Sequence, residues 1–270
     1  MTATPSGPGL AQLPMYDWPE IAPTTDALWA AIRDALRQRG ISAPTALDRS
    51  HPVEDGWCSA RLVLSQTCGL PLVHQLSGQV QVLGSFAYEG ARPAGNYHSV
   101  IITHAGHDER LISLRGKRVV INSDDSYSGC LALKCLLASF DATPGFFNSV
   151  QVSGSHRESI RAVVAGSADV AAIDCISWQL AQRYEPDASK LRVIAQTPSR
   201  PGLPLITARR TPASAVGIMR EAIAVALTTL DSKTAAMTGI SGFLPRDETD
   251  YSAIARDLQC CGAIALHAGS

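Results

Sequence analysis

The sequence predicts an α/β fold built as two blocks. Short apolar runs alternate with amphipathic helical stretches, the pattern of layered strands and helices. The alternation restarts after Gly116, where a second series of strands begins. A Pro- and Gly-rich segment, TPSRPGLP at 197–204, then interrupts it and has the composition of a linker.

Each element follows from its local pattern. Residues 13–18 read as a strand, with Pro14 tolerated near its start and Pro19 ending it. Residues 26–39 read as a helix, because Leu28, Ile32, Ala35 and Leu36 share one face and Gly40 supplies a stop. Strands follow at 60–65, 80–83 and 100–103, with a short helical stretch from Pro71. In the second block, strands are read at 117–122, 149–152, 170–173 and 191–195. Helices fall between them at 130–140, 157–165 and 177–183. Past the linker come a strand at 205–207, a helix at 213–230 and two helical stretches around Gly242-Phe243-Leu244-Pro245.

These elements divide the chain into a first lobe at 1–100 with a flexible lead-in at 1–12, a second lobe at 101–196, and a return to the first lobe at 197–270. Two segments, near 97–103 and 196–203, connect the lobes. A domain inserted in another in this way predicts a hinged protein with its ligand in a cleft.

Composition removes several function classes. The chain has 270 residues, 46% of them hydrophobic, which is ample for a buried core. Its 23 Lys plus Arg balance 24 Asp plus Glu, so there is no overall basic field for nucleic acid or an anionic membrane. No apolar run exceeds six residues, against roughly 20 for a membrane-spanning helix. Residues 1–13 lack Lys, Arg and an apolar stretch. No secretory signal is read there, which predicts a cytoplasmic chain as written, or a periplasmic one if the start omits a signal. Seven cysteines without a C-x-x-C spacing predict reduced thiols rather than a zinc site or disulfide framework. No metal or cofactor is expected.

Four segments hold residues that could bind a ligand. Between a strand and a helix, NSDDSYSG at 122–129 places Ser126 and Ser128 where a helix start leaves backbone N–H groups unpaired. That is either an oxyanion cradle or ordinary helix capping. SGSHRE at 153–158 contains the S-x-x-E capping box of Ser155 and Glu158, so His156 opens a helix, either donating to the same anion or lying at the surface. Asp174 directly follows a buried run, where ligands of α/β sheets sit, or else it caps the next helix. A carboxylate there repels a fully deprotonated anion and favours one bearing a proton or an ammonium. Finally, Tyr16, Trp18, Gln66, Thr67 and Tyr97 either line the cleft or fill the core.

Ser126 or Ser128 with His156 and Asp174 has the residue types of a hydrolytic triad, but no G-x-S-x-G elbow is present. Cys68 with His74 is a weaker nucleophile pairing. P-loop, dinucleotide and zinc-protease motifs are absent.

Three stretches resemble the phosphate/phosphite/phosphonate-type solute-binding proteins of ABC importers: VVINSDDSYSGCLALK (119–134), SGSHRESIRAVVAGSADVAAID (153–174) and TGISGFLPRDETDYSAIARDL (238–258). The resemblance implies a type II periplasmic-binding fold and a non-enzymatic binder of a small phosphorus oxyanion, working by hinge closure with an importer or as a sensor. It implies an anion held by Ser126, Tyr127, Ser128 and His156, with Asp174 opposite. Tyr16, Trp18, Gln66, Thr67 and Tyr97 would contribute from the first lobe. An S-Y-S run stands where the family has S-T-S, so the resemblance carries over the backbone N–H of Tyr127 and leaves its side-chain contribution open. An ABC permease is the implied partner. The alternative is a small-molecule enzyme on the same fold, a hydrolase or a pyrimidine-precursor synthase.

Overall fold

The computed structural model describes residues 9–106, 110–140 and 145–267. Its strands are β1 (Leu10–Ala11), β2 (Leu62–Gln66), β3 (Val80–Tyr88), β4 (Asn96–Tyr97), β5 (Ser99–His104), β6 (Arg118–Ile121), β7 (Ser149–Val152), β8 (Val170–Asp174), β9 (Leu191–Gln196), β10 (Arg200–Pro201), β11 (Pro204–Ala208) and β12 (Ile240–Pro245). The chain forms two compact units. One comprises the residues up to Asn96 together with Pro201–Tyr251, and the other Tyr97–Arg200 together with Ser252–Ser270.

The first unit has a five-stranded sheet in the order β1-β2-β11-β3-β12. Helix Ala22–Gln38 buries Leu28, Trp29, Ile32, Ala35 and Leu36, the face its 3.6-residue period selects. Those side chains share a core with Leu64, Leu83, Phe86 and Leu205 of the sheet, and with Met219 and Ile223 of helix Ala213–Thr228. Each such aliphatic side chain contributes about 1.5–3 kcal/mol when fully buried.

Two strand readings change here. No strand forms at 13–18; β1 lies instead at Leu10–Ala11, within the stretch expected as a flexible lead-in, paired parallel to β2 through Leu10↔Leu62 and Ala11↔Leu64. Its ladder closes with Gln12 N donating to Leu64 O at 2.9 Å, because Pro14 brings no N–H to extend it. The following residues turn, with Trp18 N on Tyr16 O and Ile21 N on Trp18 O. At the other end, Gly242-Phe243-Leu244-Pro245 is no break but part of edge strand β12, antiparallel to β3. Gly and Pro are tolerated on an edge.

In the second unit the order is β7-β6-β8-β5-β9. Strands β6, β7 and β8 are parallel, while β5 runs antiparallel to β8 and β9. The register pairs Ile121 with Val152 and Val120 with Ala171. The carboxyl ends of all three parallel strands therefore lie at one edge. Ile101, Val119, Ile121 and Val170 of the sheet pack with Leu133, Leu136 and Leu137 of helix Ala132–Ala138 and with Phe146 and Phe147.

The C-terminal segment departs from the expected division. The sequence pattern puts residues 197–270 wholly in the first lobe, yet Ser252–Ser270 belongs to the second unit. Helix Ser252–Cys261 is held there by Asp257, which pairs with Arg200, and by Lys134 Nζ on Gly262 O at 3.0 Å. Leu266 completes the core beside Phe147, whose N–H donates to the Leu266 carbonyl. Helical periodicity announces this helix but not the surface it packs on.

Candidate functional site

Three loops leave the parallel strands of the second unit at the same edge, and each supplies one part of the site. After β6, residues 122–126 lead into a π-helical turn, Tyr127–Leu131, which continues as helix Ala132–Ala138. Ser126 is the N-cap: its Oγ accepts from Gly129 N at 3.0 Å. The first N–H groups of the turn lack intrahelical acceptors and bear the positive end of the helix dipole. Ser99 Oγ, at the start of β5, donates to the Ser128 carbonyl at 2.8 Å and pins the turn.

After β7, Ser155 caps helix His156–Val164 by accepting from Glu158 N at 3.1 Å. The Glu158 carboxylate accepts from Arg161 Nη1 at 2.8 Å. The Ser155 cap sets His156 as the first helical residue. His156 Nε2 lies 2.8 Å from Ser128 Oγ and 3.3 Å from Asp174 Oδ2. Burial holds the imidazole below its ordinary pKa, opposed by the Asp174 carboxylate and the Ala172 carbonyl, so the neutral ring is favoured.

Asp174 ends β8 and is only 3% exposed. It does both things the sequence allowed. Its Oδ1 accepts from Ile176 N at 3.0 Å and Ser177 N at 2.9 Å, capping helix Cys175–Tyr184. Its Oδ2 is left for His156. Next to it, His98 is half-buried and also sits below its usual pKa through burial, partly offset by Asp174.

The two tyrosines of this unit have structural surroundings. The Tyr127 phenol donates to Asp257 Oδ2 at 2.7 Å, and its ring lies 6.3 Å from that of Tyr97. Burial, then Asp257, pushes the Tyr127 pKa upward. The Tyr127 side chain thus points at the C-terminal helix, and only its backbone belongs to the helix start.

The first-unit candidates separate into two groups. Tyr16 and Gln66 line a small cavity of about 30 Å³ with Leu13, Phe86 and Tyr88. Tyr16 meets Tyr88 edge-on at 5.4 Å, and Gln66 Nε2 is buried without a hydrogen-bond acceptor among the described residues. Trp18 and Thr67 are buried and do not line this cavity.

Ser99, His98 and Asn122 were missed by sequence reasoning. Ser99 and His98 are brought in by antiparallel pairing of β5 with β8, Ser99 opposite Asp174, which no local pattern announces. Asn122 opens the polar turn, and its Oδ1 fills the space a side chain at Gly129 would need: a Cβ there would lie 1.7 Å from it. Among the described residues no cluster of His, Cys, Asp and Glu forms a metal site, and no disulfide joins the cysteines. Burial pushes the Cys175 thiol up to about 12, which leaves it a thiol rather than a nucleophilic thiolate at neutral pH.

Known structures share this architecture. XAC2383 from Xanthomonas citri, bound to ATP, matches with TM-score 0.71 at 15% identity, over 96% of this chain and 99% of that one. PhnD1 from Prochlorococcus marinus, in complex with methylphosphonate, matches with TM-score 0.72 at 16% identity, over 93% and 97%. The binding-protein component PA3383 of an ABC phosphonate transporter from Pseudomonas aeruginosa gives 0.71 at 15% identity, over 93% and 85%. These establish the periplasmic-binding-protein fold, with its two α/β units. Comparison with curated proteins finds no match. The family model for the periplasmic substrate-binding protein of phosphonate ABC transporters matches residues 62–251, more than two thirds of the chain and the whole run of elements from β2 to the end of β12. The chain therefore belongs to the family of periplasmic phosphonate-binding proteins of ABC transporters.

Proposed function

We propose that this chain is the non-enzymatic binding component of an importer for a small phosphorus oxyanion, a phosphonate before a phosphite or a phosphate ester. One observation carries the reading: a helix start, Ser128, His156 and Asp174 converge at the carboxyl ends of three parallel strands. The helix start and Ser128 offer donors to an anion, each charge-assisted hydrogen bond contributing about 1.5–3 kcal/mol. With the imidazole proton on Nε2, Ser128 Oγ accepts and its own hydroxyl proton is available to the ligand. Asp174 Oδ2 is the acceptor of the set and suits an oxyanion that retains a P–OH.

A hydrolytic reading is less well supported. In a Ser-His-Asp triad the serine and the carboxylate engage opposite nitrogens of the imidazole. Here Ser128 Oγ and Asp174 Oδ2 face the same one. The family membership supports a periplasmic site of action and a permease as partner.

A thermal-shift panel tests the reading. Methylphosphonate, phosphite, phosphate, ATP and sulfate are compared with a sugar and an amino acid. A ligand at a hundredfold excess over its Kd stabilises the folded state by about 2.7 kcal/mol. A clear rise in Tm with a phosphorus oxyanion and none with sulfate is the expected result. A rise only with a sugar or an amino acid, or turnover of a chromogenic phosphonate ester, overturns it.

A further inference from the structure

The C-terminal helix Ser252–Cys261 packs on helix Ala132–Ala138, which continues from the turn of Ser126 and Ser128. Cys135 lies on the packed side, where its Sγ donates to the Asp257 carbonyl at 3.9 Å. That carbonyl is also the helical acceptor of the Cys261 N–H, four residues on. Cys261 ends the helix and is buried, on the inward face it shares with Ile254 and with Asp257, the partner of Tyr127 and Arg200. Its Cβ leans back toward the turn that Cys135 touches, and the two thiols hydrogen-bond each other. Directly beside them, Lys134 Nζ donates to Gly262 O at 3.0 Å, so both segments are fixed next to the two cysteines.

The remaining cysteines lie elsewhere. Cys130, on the same helical run, turns into the core with Leu133 and Leu137. Cys175 is buried at the start of helix Cys175–Tyr184, Cys260 is exposed, and Cys58 and Cys68 belong to the first unit. Burial, then the bond to Cys261, pushes the Cys135 thiol upward. A protonated, enclosed thiol is a slow nucleophile, so the favourable moment for oxidation is before the C-terminal helix has docked. The family to which the chain belongs is periplasmic, and the bacterial periplasm is an oxidising compartment.

We propose that Cys135 and Cys261 are a disulfide site, which clamps the C-terminal helix to helix Ala132–Ala138. The oxidant is an external disulfide, of a small thiol or of a thiol–disulfide oxidoreductase. One cysteine thiolate attacks a sulfur of that disulfide, giving a mixed disulfide and releasing one thiolate. The second cysteine, losing its proton, attacks the mixed disulfide, closes the Cys135–Cys261 bond and releases the other. Two cysteine thiols are oxidised and one external disulfide is reduced to two thiols. The bond joins positions 126 apart in sequence, which restricts the unfolded chain and stabilises the fold. It is independent of which ligand the protein takes.

The full chain, unfolded and reduced, is refolded in a mixture of oxidised and reduced glutathione, and a parallel sample in dithiothreitol. Free thiols are then blocked with a maleimide and the protein is mapped by non-reducing peptide mass spectrometry. Two of the seven thiols are expected to escape the maleimide, and one linked peptide pair is expected, joining Cys135 to Cys261. The oxidised protein is expected to melt about 5 °C or more above the reduced one. That difference is expected to vanish in Cys135→Ser and to persist in Cys260→Ser. The peptide map of wild type stands even if a variant does not fold. Seven blocked thiols after refolding in the glutathione mixture, or a bond from Cys135 to Cys260 or to any other cysteine, overturns the site. A Cys135–Cys261 bond that leaves Tm unchanged overturns the clamp.

Discussion

Tyr127 and Asp257, 130 positions apart in sequence, meet through a 2.7 Å hydrogen bond from the phenol to Oδ2. The same carboxylate accepts two bonds from Arg200, from Nε at 2.7 Å and Nη2 at 2.9 Å. The middle residue of the S-Y-S run is therefore anchored to the C-terminal helix, and through it to Arg200 at the end of the second unit's central segment.

Removing the phenol oxygen tests how much this anchor stabilises. Tyr127→Phe is expected to lower the unfolding free energy by about 1–2 kcal/mol, the net value of a hydrogen bond to a charged acceptor. Asp257→Ala is expected to cost more, about 2–4 kcal/mol, because Arg200 then loses a largely buried partner. Urea denaturation of both variants checks the order. An unchanged Asp257→Ala midpoint contradicts the anchoring role.

The two serines of the turn are expected to behave differently. Ser126 Oγ is engaged with Gly129 N, whereas Ser128 Oγ faces His156. Ser126→Ala removes an N-cap and is expected to cost about 0.5–2 kcal/mol of stability. Ser128→Ala is expected to leave stability nearly unchanged and to weaken methylphosphonate binding by about 1–3 kcal/mol. Tm and calorimetric affinity, measured on each variant, separate the two roles. Equal effects in both assays contradict the division.

Much of this was legible in the sequence because it depends on local pattern. The capping box at Ser155 and Glu158, the apolar run ending at Asp174 and the polar turn before Gly129 mark three strand ends. Parallel pairing then necessarily gathers them. What was not legible depends on register and long-range packing. Only the pairing of Ser99 with Asp174 brings Ser99 to the Ser128 carbonyl, and only the docking of helix Ser252–Cys261 gives the Tyr127 phenol its partner. The short β1 escaped because the apolar run at 13–18 continues where Pro14 stops the hydrogen-bond ladder. The strand β12 escaped because Gly and Pro read as a break, although an edge strand tolerates both.

Acid is expected to destabilise the protein through two imidazoles, His156 and His98. His156 and His98 both sit below their ordinary pKa because burial penalises the charged ring, with the Asp174 carboxylate opposing. In the unfolded chain each takes up its proton near pH 6.5, while in the fold uptake waits for lower pH. The unfolded state therefore binds more protons in that window, and stability falls as pH drops below about 6.5. Above it, both states hold neutral rings and the effect vanishes. Denaturant midpoints from pH 8 to pH 5 measure this, and His156→Gln is expected to flatten the acidic limb. An identical limb in wild type and variant excludes His156 as its source.

The last prediction separates the two oxygens of Asp174. Oδ1 is occupied by the N–H groups of Ile176 and Ser177, and Oδ2 faces His156 and the proposed anion. Asp174→Asn keeps a good N-cap, since asparagine caps helices about as well as aspartate, and the fold is expected to survive. The variant removes the negative charge beside the ligand and presents either an acceptor or a donor in its place. Wild type should bind a phosphonate monoanion better than the dianion, because the carboxylate accepts from P–OH and repels a fully ionised group. Its affinity should therefore fall as pH rises through the ligand's second ionisation. In Asp174→Asn the monoanion should bind more weakly, the dianion as well or better, and the pH dependence should flatten. Sulfate, which carries no proton at neutral pH, should gain affinity in the variant relative to wild type. Calorimetry of both proteins with methylphosphonate and with sulfate, at about pH 6 and pH 8.5, measures these effects against the ligand's own ionisation. A parallel pH profile in the two proteins, with sulfate rejected equally by both, confines Asp174 to its capping bond and removes it from the binding site.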